Sequence, residues 1–115
     1  YVFPITLDID TISCDMQTFL AALGAEGAPC WNVFWPQCHT EAAFQNHNAY
    51  GNSGFPFKSK EYTSPESVDY THVDVPNAEW HQERTFITFI FPTYEETHIH
   101  GIAAAIQKVI AAYSK

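Results

Sequence analysis

Two hydrophobic periods alternate along this chain, and the changes between them mark out its elements. Val2, Ile5, Leu7 and Ile9 fall close to alternate positions, the spacing of a half-buried strand. Pro4 has no N–H to give a ladder, so this strand is expected at a sheet edge or irregular there. Met16, Phe19, Leu20 and Leu23 then stand at i, i+3, i+4 and i+7, one apolar stripe of a helix. Ser13 is its expected N-cap, and Asp15 suits the positive end of the helix dipole. Gly24 and Gly27 close it, and Gly27-Ala28-Pro29 turns the chain. Cys30 to Trp35 is an aromatic run suited to a second strand, ended by Pro36, and Thr40 to Phe44 predicts a short helix capped by Thr40.

Periodicity is lost over residues 45–70, where turn-forming residues such as Asn46, Asn48, Gly51, Gly54, Pro56 and Pro65 dominate. A loop of this length inside a small domain is uncommon and often functional or covered by a partner. The bland alternative is that Phe44, Tyr50, Phe55, Phe57, Tyr62 and Tyr70 pin it to its own domain, as in a compact Ω-loop. Pro76 then opens a short helix carrying Glu79 and Trp80. Arg84 to Phe91 is so densely apolar that it predicts a central strand covered on both faces. Thr93-Tyr94-Glu95-Glu96 has the form of a capping box. Behind it Ile99, Ile102, Ala103, Ile106, Val109, Ile110 and Tyr113 keep helical spacing for about four turns. The order β-α-β-(short α, loop)-α-β-α predicts an α+β fold with a small, mainly antiparallel three-stranded sheet covered by helices.

Composition narrows the functional classes. The chain has 115 residues, 46% of them hydrophobic, enough for one globular core. Five basic residues against thirteen acidic ones give a formal charge of −8. That balance excludes a phosphate-binding surface, which needs clustered Lys and Arg, so no nucleic-acid partner is expected. No run approaches the roughly 20 apolar residues that span a bilayer, and no signal peptide is visible, so no membrane partner is expected either. Cys14, Cys30 and Cys38 are odd in number and lack CxxC spacing, pointing to reduced thiols in a cytoplasmic protein. Opening at Tyr1, directly on a strand-like run without Met, the chain reads as a fragment.

Candidate chemistry is sparse. His98 and His100 point to different sides of a helix, and Cys38-His39 has no second pair at zinc spacing, so no metal site is expected. Lys58 and Lys60 lie among turn formers, without the desolvated pocket that a Schiff-base lysine needs. No catalytic residue is assigned. His39, after Pro36 and before a short helix, is the one candidate substrate-binding residue, because imidazole can bind a hydroxyl or carboxylate. Its alternative role is to brace that turn.

The ordered motifs resemble one family. Tyr1-Val2-Phe3-Pro4-Ile5, Phe19 through Pro29, Pro36-Gln37-Cys38-His39, Pro76-Asn77-Ala78-Glu79, Phe91-Pro92 and Ile99 through Val109 are, in this order, similar to the C-terminal small domain of the DegT/DnrJ/StrS-type sugar aminotransferases. Ala28 stands where the family commonly has Ile, and residues 45–70 match least well. The resemblance implies the small domain of a fold-type-I enzyme that uses pyridoxal 5'-phosphate. Such an enzyme moves an amino group by a ping-pong route from an amino-acid donor to a keto-sugar, often nucleotide-linked, or a keto-cyclitol. Such reactions serve amino-sugar, cell-surface polysaccharide or antibiotic biosynthesis. It also implies a homodimer and a large N-terminal domain that holds the cofactor, leaving none held by this chain alone. By the same resemblance His39 is a substrate-side residue. The alternative is a free-standing, non-catalytic sugar- or protein-binding module.

Overall fold

Pro4 does lie on an edge strand. The sheet has three antiparallel strands, β1 (Val2–Thr6), β2 (Cys30–Asn32) and β3 (Thr85–Phe89), in the order β1-β3-β2. The computed structural model describes residues 1–64 and 68–115. These form two compact units, the first of Tyr1–Phe34 with Asn77–Lys115 and the second of Trp35–Pro76.

In the first unit the register places Ile5 opposite Phe86, and both Phe3 and Cys30 opposite Thr88. Side chains alternate across a strand, so these residues share one face. Two helices, α1 (Met16–Ala25) and α4 (Glu96–Tyr113), supply the rest of the core on that face. Phe19 and Leu23 of α1, Phe86 of β3, and Ala105 and Val109 of α4 are buried together, with the Phe19 and Phe86 rings 5.8 Å apart. Fully burying a side chain of this size stabilises the fold by about 1.5–3 kcal/mol. The other face carries Trp31, Ile87 and Phe89. There Phe89 meets Trp31 at 5.0 Å, Tyr1 at 6.0 Å and Phe91 at 6.1 Å, while Tyr1 is 80% exposed.

Helix ends depart from the sequence reading in detail. Asp15, not Ser13, caps α1 by accepting the Thr18 N–H at 2.7 Å. The Ser13 backbone N–H and hydroxyl both donate instead to the Tyr113 carbonyl, tying the start of α1 to the end of α4. Gly27, at φ +80°, ends α1 as expected, with the Ala28 N–H reaching back to the Leu23 carbonyl. The second strand stops at Asn32 rather than running to Trp35, which belongs to the other unit. At α4 the capping box sits two residues later than Thr93. Tyr94 N–H closes a turn on the Phe91 carbonyl, and Glu95 becomes the N-cap. A further helix, α3 (Pro76–Arg84), begins at Pro76 and runs directly into β3. The Arg84 guanidinium lies 4.7 Å from the centre of the Trp80 ring.

The second unit contains a 3-10 turn at Cys38–Thr40 and a one-turn helix, α2 (Ala42–Gln45). The Thr40 hydroxyl does not cap α2; it donates to the Gln37 carbonyl, and Glu41 takes the N-cap position without a side-chain bond. Phe44, His47, Phe57 and Tyr70 form an aromatic cluster, with the His47 ring stacked on Phe57 at 5.3 Å. Part of the aromatic loop is thus pinned to itself, whereas Tyr50, Phe55 and Tyr62 remain exposed. Within the stretch 45–70, residues 65–67, Pro65 among them, lie outside the described residues.

Candidate functional site

His39 sits in the last position but one of the 3-10 turn and is half-buried. Its main chain, not its ring, braces the local structure. Gln45 Nε2 donates to the His39 carbonyl at 2.6 Å and to the Tyr70 carbonyl at 2.7 Å, clamping the turn to the end of the loop. Among the described residues the His39 imidazole has no hydrogen-bond partner, which leaves its nitrogens free for another group. Sequence reasoning missed Gln45, because a single glutamine carries no periodic or spacing signal for carbonyls six and 25 residues away.

A second histidine of this unit has a carboxylate partner. His72 Nδ1 lies 2.8 Å from Asp69 Oδ2, and the Thr71 hydroxyl meets both Asp69 and the same Nδ1. The Thr71 hydroxyl, then the His72 ring and the Thr71 N–H, hold the Asp69 carboxyl well below the usual range. This resembles a nucleophile–base–acid set in composition only. A relay needs the acid on one ring nitrogen and the nucleophile on the other, and here both use Nδ1. The group is an exposed turn brace.

Elsewhere in this unit, Ser53, Phe55, Ser59, Lys60 and Glu61 line an open depression of about 550 Å³. The Ser59 hydroxyl has no partner among the described residues, yet it is closed off from solvent, so it cannot meet a ligand from that depression without a rearrangement.

The first unit offers two different surfaces. Glu26 through Pro29, from the turn after α1, and Tyr94, Thr97, His98, Gly101 and Ile102, from the start of α4, enclose an open cleft of about 540 Å³. Its polar groups include Glu26, Thr97 and His98. The Glu95 N–H donates to His98 Nδ1 at 3.0 Å, and the ring stacks on Tyr94 at 5.6 Å with planes 15° apart. On the sheet side, Phe3, Ile5, Ile90, Ile99, Ile102 and Ile106 surround a narrower, almost wholly apolar groove of about 190 Å³.

The lysines of this chain do not offer pyridoxal phosphate a Schiff-base amine. Lys58 and Lys60 are exposed, Lys108 pairs with Glu26 at 2.7 Å, and Lys115 donates to the Asp10 carbonyl. None is desolvated, so none has the environment of an amine poised to form a Schiff base. The described residues contain no group of three or more His, Cys, Asp or Glu that could hold a metal. Burial pushes the Cys30 thiol above its ordinary value, and burial followed by the nearby Asp15 charge does the same to Cys14. Neither is an activated nucleophile. No helix among the described residues is long and apolar enough to cross a membrane. No family model matches the chain, and no curated protein matches it.

Proposed function

We propose that this chain is the C-terminal small domain of a pyridoxal-phosphate-dependent sugar aminotransferase of the DegT/DnrJ/StrS type. The observation that carries the reading is where its motifs fall. The Phe19–Pro29 pattern occupies α1 and its Gly27 turn, Pro76–Glu79 opens α3, Phe91-Pro92 follows the central strand, and Ile99–Val109 lies on α4. A sheet with helices on one face and exposed aromatics on the other suits a domain that works against a larger partner domain. That domain would hold the cofactor. His39, with an unengaged imidazole, would contact the sugar. A cytoplasmic homodimer belongs to the same reading.

The test begins with the coding DNA upstream of Tyr1. An open frame of about one to two domain-lengths, with a lysine-bearing segment, is expected. The protein encoded by the whole frame should then show the visible absorbance of a lysine-bound aldehyde cofactor and transfer an amino group from glutamate to a nucleotide-linked keto-sugar. A start codon immediately before Tyr1 would end this proposal. A second reading, a non-catalytic sugar-binding module, is favoured by the exposed Tyr50, Phe55 and Tyr62 rings. Titrating this chain with nucleotide sugars tests it, and the absence of binding at millimolar ligand disposes of it.

A further inference from the structure

The beginning of α4 is held by an imidazole where a capping box ordinarily has a carboxylate or amide. In a capping box the residue three positions into the helix reaches back to the N-cap N–H, and that residue is usually Glu or Gln. Here it is His98, whose Nδ1 accepts the Glu95 N–H at 3.0 Å. The bond requires a lone pair on Nδ1, which fixes the neutral ring in the tautomer protonated on Nε2. A proton on Nδ1 removes the acceptor and sets an N–H against an N–H. It also places a cation at the positive end of an 18-residue helix.

We propose that His98 makes the first turn of α4 a pH-sensitive latch, capped with the ring neutral and frayed with it protonated. The groups around it bear on this directly. Tyr94 stacks on the ring, Glu95 and Glu96 flank it on the same helix, and Glu96 pairs with His100 at 3.3 Å. Glu26, from the turn after α1, lines the same cleft and is already engaged by Lys108. The bond exists only in the folded, neutral form. Protonation of Nδ1 and this bond exclude one another, so acid favours fraying. Tyr94, Thr97 and His98 form one wall of the cleft against Glu26–Pro29, so loosening this turn opens that cleft.

The experiment compares the wild-type chain with His98→Gln, which keeps a reciprocal acceptor but does not titrate. Amide-exchange protection of the Glu95 N–H is measured between about pH 8 and about pH 5, and the His98 ring nitrogens are followed by NMR. A cap is worth about 1 kcal/mol, so wild-type protection is expected to fall about five-fold across this range. Protection in His98→Gln should stay level, and the ring should be protonated on Nε2 alone at the upper end. Parallel profiles in the two proteins would overturn the proposal, as would a neutral ring carrying its proton on Nδ1.

Discussion

Asp15 is a residue whose charge and geometry can be separated by experiment. Its carboxylate accepts the Thr18 N–H at 2.7 Å, and this bond holds its pKa below the ordinary value. The folded state thus binds this proton less readily than the unfolded chain. The cap's contribution is complete above the ordinary carboxylate range and is lost as pH falls through the lowered value. Asp15→Asn keeps an acceptor of equal rank, so its neutral-pH Tm should match wild type while its acid limb flattens. Asp15→Ala should melt lower at neutral pH, as a thermal scan would show. Gly27 makes a different demand. At φ +80° any side chain is strained, although nothing crowds the position, so Gly27→Ala should cost about 1–2 kcal/mol by denaturant titration. In the proposed full enzyme, His39→Ala should raise KM for the keto-sugar about ten-fold, the loss of one hydrogen bond to a polar substrate. The half-reaction with the amino donor should be unchanged. Equal loss in both half-reactions would assign His39 a structural role.

At the scale of elements, the sheet is decided by β3. Phe86 is 0% exposed and packs on Phe19 beneath α4, so Phe86→Ala should destabilise the first unit by about 3–5 kcal/mol. A double-mutant cycle with Phe19→Ala should return a coupling of about 0.5–1.5 kcal/mol. The place of β3 was legible, because a dense apolar run suits a central strand covered on both faces, and Phe86 and Ile87, on opposite faces, are both buried between β1 and β2 in the sheet order. So were the stripes of α1 and α4, whose Phe19, Leu23 and Val109 recur at helical spacing and are buried. Caps were legible in kind but not in position. Ser13 and Asp15 both suit the start of α1, and what separates them is the Tyr113 carbonyl, a hundred residues away, which claims Ser13. Thr93-x-x-Glu96 matches a capping pattern, yet a turn closing on Phe91 moves the start to Glu95 and gives the reciprocal role to His98. The aromatic loop shows the same limit. Its rings were countable, but their partition into a cluster around Phe57 and an exposed set depends on contacts that composition does not encode.

At the scale of the whole molecule, the apolar stripe of α4 serves two environments. Toward its C-terminal end Ala105 and Val109 close the core, while toward its start Ile99 lines the groove with Phe3 and Ile90 and stays 43% exposed. A residue kept apolar at that exposure adds little to folding and keeps a hydrophobic surface facing water, against a net charge of −8 that otherwise favours solubility. Ile99→Ser should therefore shift stability by no more than about 0.5 kcal/mol while reducing binding of a hydrophobic dye. Val109→Ala, which opens a cavity in the core instead, should cost about 1–3 kcal/mol and leave the groove as it is. Paired denaturant and dye titrations distinguish the two sites. Equal destabilisation by both substitutions would make the start of α4 part of the core, and the groove would lose its standing as a surface held apolar for something other than folding.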